Sequence, residues 1–236
     1  MSISVDVGGT FTDFVIFGKG NIQYYKVPST SKSPEALRRG VKNKNYRGDV
    51  LIGSTIATNA FLEKSGSPTA FLVNKGFEDL LFIGRQTRPH LYDLHVKKPD
   101  PPLEKNNCYG VTGRTDSNGR IIEELDISEI REIAKELKEK DLSAAVCLLH
   151  SYANPTQEER VGKILDEFDI SYSLSNRISD EFREYERGMT TLLNAYVAPL
   201  TRDYFSSAKG IVDDEPLVMK SSGGLEPASS VTPVDL

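Results

Sequence analysis

The first 27 residues constrain the fold more than any other stretch. Ile3, Val5 and Val7 alternate with polar residues, Phe14–Phe17 forms a second apolar run, and Ile22–Val27 a third. This period-two alternation, broken by Gly8-Gly9 and by Gly18-Lys19-Gly20-Asn21, predicts three strands of an antiparallel meander. Such a sheet must bury one face, and the rest of the chain supplies the cover. Ser33-Pro34 reads as an N-cap with proline at the first helical position of a short basic helix ending near Lys44. Val50–Ile52 predicts a buried strand. A helix is expected over about Ala57–Lys64 with Gly66 as its stop signal, then a strand at Thr69–Val73 and a helix at Phe77–Ile83.

The segment "RQTRPHLYDLHVKKPDPPLEKNN" is proline-rich and aperiodic, as expected of a loop crossing between domains. Beyond it, Cys108–Thr115 and Ile121–Leu125 flank Asp116-Ser117-Asn118-Gly119, which predicts a hairpin. Asp126 or Ser128 caps the next helix, whose stripe is Ile130, Ile133, Ala134 and Leu137. A buried strand at Ala144–Leu149, a helix from Asn154-Pro155 and a strand at Ile170–Leu174 follow. This strand-helix-strand order implies parallel pairing. A long helix is expected over about Phe182–Phe205, broken at Gly188 or Pro199, with a last strand at Leu217–Lys220. The fold class is α/β, with a second α/β module in the middle of the chain.

Composition excludes partners without naming one. The net charge of −5, with both signs mixed along 236 residues, does not favour nucleic acid, which needs a basic stripe. No apolar run approaches the ~20 residues that span a bilayer, and no signal-peptide pattern is present, so the cytoplasm is the expected compartment. The only cysteines, Cys108 and Cys147, form neither a disulfide framework nor a C-x-x-C pair.

A tight turn accounts for Gly8-Gly9 alone, since glycine accepts left-handed backbone without penalty. It does not account for Asp6, Thr10, Thr12 and Asp13 in the same loop. Glycines let a backbone approach phosphate oxygens, successive N–H groups bind anions, and a strand-end carboxylate can hold Mg²⁺ through water. Hairpin and phosphate loop therefore both stand on these residues. The loop lacks the G-K-[ST] ending of a Walker A motif and does not match G-x-G-x-x-G.

The string D-x-G-G-T-x-x-D resembles the phosphate-1 motif of the actin, heat-shock-chaperone and sugar-kinase ATPase superfamily. Five ordered stretches narrow the resemblance: "VDVGGTFTDF", "GSTIATNAFLEKSG", "KGFEDLLFIGRQTRPHLYDL", "EFREYERGMTTLLNAYVAP" and "KSSGGLEP". Together they resemble the hydantoinase A / 5-oxoprolinase family, which includes subunits of acetone-type carboxylases. The resemblance implies an actin-like (ribonuclease H-like) first lobe with an inserted α/β module and without the second lobe. Residues 1–95 would be the lobe bearing the phosphate loop, 96–180 the inserted module, and 181–236 the return to the core. It implies use of ATP and Mg²⁺ to activate a cyclic amide for ring opening; ketone carboxylation and a non-catalytic nucleotide-binding module are the alternatives. Asp6 would organise Mg²⁺ and, with Asp13, serve catalysis; Gly8, Gly9, Thr10 and Thr12 would meet the phosphates. A hydantoinase B-type subunit is the implied partner.

Other candidates have plainer readings beside them. Ser54 or Thr55 can cap the helix after Gly53, while Thr55, Thr58 and Asn59 can face a polar substrate there. Arg85 and Arg88 can hold a carboxylate or phosphate bidentately, or pin their own loop. His90, Asp93 and His95 fit no zinc spacing. The mixed charges of Glu181, Arg183, Glu184, Glu186 and Arg187 read as a salt-bridged helix face or as a substrate-side surface. Cys147 reads as core rather than nucleophile.

Overall fold

The computed structural model describes residues 2–18, 20–29, 33–43, 48–87, 92, 95, 100–208, 210–211 and 215–236. The chain runs β1 (Ser2–Val7), β2 (Phe11–Gly18), β3 (Asn21–Pro28), α1 (Glu35–Asn43), β4 (Asp49–Ser54) and α2 (Ile56–Leu62). It continues through β5 (Thr69–Asn74), α3 (Leu80–Ile83), β6 (Cys108–Val111), β7 (Arg114–Thr115), β8 (Ile121–Glu123), α4 (Ile127–Glu139), β9 (Ser143–Val146) and α5 (Thr156–Glu167). Last come β10 (Tyr172–Leu174), α6 (Ser175–Ile178), α7 (Glu184–Ala208), β11 (Leu217–Met219) and β12 (Leu225–Pro227). These elements group into two compact units, one made of the chain up to Gly66 with Val197–Leu236, the other of Ser67–Tyr196.

The first unit holds a six-stranded mixed sheet in the order β12-β11-β4-β1-β2-β3. The meander β1-β2-β3 is antiparallel, as the alternation predicts, whereas β4 lies parallel to β1 and β11 parallel to β4. Alternation gives the sheet two unlike faces. Ile3, Val5, Val7, Phe14, Ile16 and Ile52 point inward, where Leu37 and Val41 of α1 and Tyr204, Phe205 and Ala208 of α7 pack on them. Each fully buried aliphatic or aromatic side chain here contributes about 1.5–3 kcal/mol. Helix α1 approaches closely because Gly40 has no side chain: a Cβ there would lie 2.1 Å from Phe14 Cζ. Phe14 in turn stacks on Tyr25, whose hydroxyl donates to the Gly40 carbonyl.

The second unit holds a four-stranded sheet, β10-β9-β5-β6, with every pairing parallel. All six residues of β5 are buried, the pattern of a strand covered on both faces. One side packs on the apolar stripe of α4 and α5, the other on Leu81, Leu192 and Ala195.

Several element boundaries depart from expectation. Helix α2 stops at Leu62 rather than running to Lys64, because Lys64 takes a left-handed φ of 53° and Ser65 N–H bonds the Ala60 carbonyl. Phe77 belongs to a turn and not to a helix, since Glu78 folds back onto Gly76 N–H. The expected hairpin arm Cys108–Thr115 is two strands: β6 joins the parallel sheet, Gly113 breaks the path at φ 144°, and only β7 pairs with β8. Asp126, not Ser128, is the cap of α4, accepting from both Ser128 N and Glu129 N. Helix α7 is continuous through Gly188 and Pro199 where a break was expected. Gly223 and Gly224, both left-handed, turn the chain into β12, which alternation in so short a stretch did not reveal.

Candidate functional site

The loop joining β1 to β2 is a minimal hairpin. Gly8 N–H donates to the Phe11 carbonyl at 3.1 Å, leaving Gly9 and Thr10 exposed at the tip. No partner for the N–H of Gly9 or of Thr10 is found among the described residues. Neither glycine uses left-handed backbone. They are required by space: a Cβ on Gly8 would lie 2.9 Å from the Phe11 carbonyl oxygen, and one on Gly9 3.1 Å from Asn59 Nδ2. The turn is thus held open at its tip and crowded at its base.

Strand alternation sorts the loop's polar side chains onto opposite faces. Asp6 and Asp13 are directly paired across β1 and β2, on the face away from the core. Asp6 is exposed. Asp13 accepts from the Tyr24 hydroxyl at 2.7 Å and from Lys26 Nζ at 3.0 Å, which together hold its carboxyl below the usual aspartate range. Of the two carboxylates, Asp6 therefore remains for a ligand. Thr12 points the other way and is fully buried; its hydroxyl shares a 2.8 Å hydrogen bond with Ser29 Oγ, which donates to the Gly8 carbonyl at 2.7 Å. Thr12 and Ser29 brace the loop from beneath, while the Asp13 carboxylate is engaged by Tyr24 and Lys26 instead.

The start of α2 closes against this loop. Ser54 Oγ accepts from Ile56 N–H, so Ser54 satisfies the helix start. The Thr55 hydroxyl donates to the Val7 carbonyl and accepts from Asn59 Nδ2, tying the helix to the end of β1. Thr58 is exposed on the same helix. Between loop and helix lies a pocket of about 60 Å³, whose polar lining is Gly8, Gly9, Asn59, Glu63, Ser65 and Tyr204. Tyr204 is only 3% exposed, and its hydroxyl has no hydrogen-bond partner among the described residues. The sequence signal for Tyr204 was its place four residues after Leu200 on α7, which puts both on one helix face.

The remaining candidates lie in the second unit. Arg85 forms an ion pair with Glu186, the pinning role of its two readings. Arg88, His90 and Asp93 lie outside the described residues, and no cluster of three metal-ligating side chains occurs within them. Cys147 is buried, which pushes its thiol up to about 11 and makes it unreactive core. Arg187 departs from the expected charged surface. It is fully buried, donating to Ser175 Oγ at 3.0 Å and to the carbonyls of Glu181 and Leu148 at 2.8 Å each. Ser175 also donates to Glu158, a buried carboxyl raised by desolvation although Leu148 N and Asn176 N donate to it as well.

Known proteins resemble this chain in sequence and in fold. A family model described as the hydantoinase/oxoprolinase N-terminal region matches residues 2–168. An uncharacterised protein of Methanocaldococcus jannaschii is 37% identical over 94% of this chain and 35% of its own length. The 5-oxoprolinase 1 of Arabidopsis thaliana is 32% identical over 86% of this chain and 17% of its own length. The crystal structure of an ATP-dependent caprolactamase from Pseudomonas jessenii superposes with a TM-score of 0.83 at 26% identity, covering 97% of this chain and 36% of that one. The chain spans about a third or less of the length of these proteins. With its matched region covering well over half of its residues, the chain belongs to the hydantoinase/oxoprolinase family, within that family's N-terminal region.

Proposed function

We propose that this chain is the N-terminal part of an ATP-dependent cyclic-amide hydrolase and that the β1–β2 loop is its phosphate-binding turn. The observation that carries the reading is the exposed loop tip, where the N–H groups of Gly9 and Thr10 have no partner among the described residues and follow, within the same short loop, the exposed Asp6 at the end of β1. Backbone donors of this kind suit phosphate oxygens, and the Thr10 hydroxyl adds a third. Asp6 fits Mg²⁺: the ion keeps several of its waters and needs only one or two carboxylates, so a three-ligand cage is not required. Bound there, Mg-ATP supplies the phosphoryl group that activates the amide for ring opening. Asp6 positions the ion, Gly8 shapes the turn, Thr12 and Ser29 brace it, and Asp13 stays engaged with Tyr24 and Lys26. The strand order β3-β2-β1-β4-β11, antiparallel then parallel, supports an actin-like first lobe.

Thr55 and Asn59 hold α2 against the loop, and Thr58, exposed on the same helix, is assigned to the substrate side. We place the protein in the cytoplasm, where ATP is available, with a hydantoinase B-type partner subunit; among the described residues no helix is long and apolar enough to cross a membrane. In the intact protein, Asp6→Ala should lower Mg-dependent ATP hydrolysis by roughly 100-fold or more, as loss of a preorganised charge does. Unchanged turnover in a steady-state phosphate-release assay would overturn the assignment.

A further inference from the structure

The peptide groups of the β1–β2 loop are not held alike. The Gly8 carbonyl accepts the Ser29 hydroxyl at 2.7 Å, and the Thr10 carbonyl accepts the Ser29 N–H at 2.9 Å. One residue, just past the end of β3, therefore clamps the turn on both sides of Gly9. Others fix the base: the Val7 carbonyl accepts the N–H and the hydroxyl of Thr55, and the Phe11 carbonyl accepts Gly8 N–H. Within the run 7–11, only the Gly9 carbonyl has no hydrogen-bond partner among the described residues.

The Ser29 hydroxyl is itself directed. It carries one hydrogen, which goes to Gly8, so toward Thr12 it is the acceptor. The bonds run one way, from Thr12 O–H to Ser29 Oγ at 2.8 Å and from Ser29 O–H to the Gly8 carbonyl. Thr12 is fully buried, so a fixed partner and not solvent sets this direction. A trans peptide is planar, with its C=O and N–H pointing opposite ways. Drawing the Gly8 carbonyl onto Ser29 thus turns the Gly9 N–H, on the same peptide, away from the Thr12–Ser29 pair and toward the exposed tip. Rotated the other way, that peptide would present a carbonyl oxygen there, which repels a phosphate. The Gly9–Thr10 peptide lacks such a hold, so its N–H is free to turn onto a ligand.

We propose that Ser29 is the positioning residue of the phosphate turn: it pre-sets the Gly9 N–H as a donor and confines adjustment to the Gly9–Thr10 peptide. The assignment rests on the reading of this loop as a phosphate-binding turn. It also gives Thr12 a role through Ser29, as the donor that orients its hydroxyl.

Calorimetric titration of the intact protein with Mg-ADP and, separately, with adenosine tests this. The unaltered protein should bind Mg-ADP more tightly than adenosine. Ser29→Ala should weaken Mg-ADP roughly three- to tenfold, the worth of one hydrogen bond, and leave adenosine unchanged. Ser29→Thr keeps the hydroxyl and should restore Mg-ADP binding. Ser29→Cys keeps the bulk but donates weakly; it should behave as Ser29→Ala and replaces it in the test should the alanine variant fail to fold. A preference for Mg-ADP that survives Ser29→Ala and Ser29→Cys would overturn the Ser29 assignment alone. So would an equal loss of Mg-ADP and adenosine in a folded variant, or a folded Ser29→Thr as weak as Ser29→Ala. Unaltered protein that binds Mg-ADP no more tightly than adenosine would overturn the phosphate-turn reading, and the role of Ser29 with it.

Discussion

At the scale of single residues, Asp13 shows how a site-like carboxylate becomes committed to structure. Its register partner on β3 is Lys26, and Tyr24 reaches it along the same strand face, so two donors converge on one carboxylate. The hydrogen bond from Tyr24 is the larger influence and Lys26 the next, and together they place the folded pKa below the ordinary 3.8. A depressed carboxylate pKa means the folded state releases the proton more readily than the unfolded chain. The contribution is therefore complete above pH 3.8 and is lost as pH falls from there through the lower folded value. Tyr24→Phe removes the larger influence and should flatten the fall in urea midpoint between about pH 5 and about pH 2. An acid limb as steep as that of the unaltered protein would show that Tyr24 does not hold Asp13. Asp6, directly across the ladder, has no such partners among the described residues, and that difference separates the carboxylate left open from the one that is engaged.

At the scale of elements, the informative case is the start of α7. The stretch from Glu181 to Arg187 is so rich in mixed charge that local composition points to solvent. Periodicity points the other way: Thr191 and Ala195 follow Arg187 at four-residue steps and are buried with it. An arginine on a buried stripe must find acceptors, and the ends of β9 and α6 supply them at Leu148 and Ser175. Replacing it strands those groups. Arg187→Leu should cost roughly 3 kcal/mol or more in urea unfolding, since two or three bonds to a charged donor are lost and their acceptors remain buried. Arg187→Lys should restore little, because one ammonium cannot match a planar fork reaching three separate acceptors. Glu158 was equally hidden in the sequence. In the first turn of α5 it looks like an ordinary acidic residue near a helix N-terminus, and only the tertiary fold shows it receiving Leu148 N–H and Asn176 N–H.

At the scale of the whole molecule, the strands were legible because alternation and burial agree, whereas the ends of some elements were set by individual backbone turns, at Lys64 and Gly113, that periodicity does not mark. The loop between Asp6 and Asp13 was legible as a tight turn between two strands, but not which of its side chains point outward, since that depends on the register of β1 against β2. The same logic of cores bears on domain structure. Ser67–Tyr196 is a single continuous stretch with its own four-stranded parallel sheet. One buried cluster lies beneath α4 and α5, and a second gathers Phe71, Val73, Leu81 and Leu192. A stretch of that size buries enough surface to be stable alone. The segment 67–196, expressed by itself, should therefore unfold in one cooperative transition with the denaturant dependence of a compact domain. The first unit is assembled from two distant stretches, so neither of them should fold in isolation. A non-cooperative melt of 67–196, or rapid amide exchange throughout β5 and β9, would show that its core depends on the remainder of the chain.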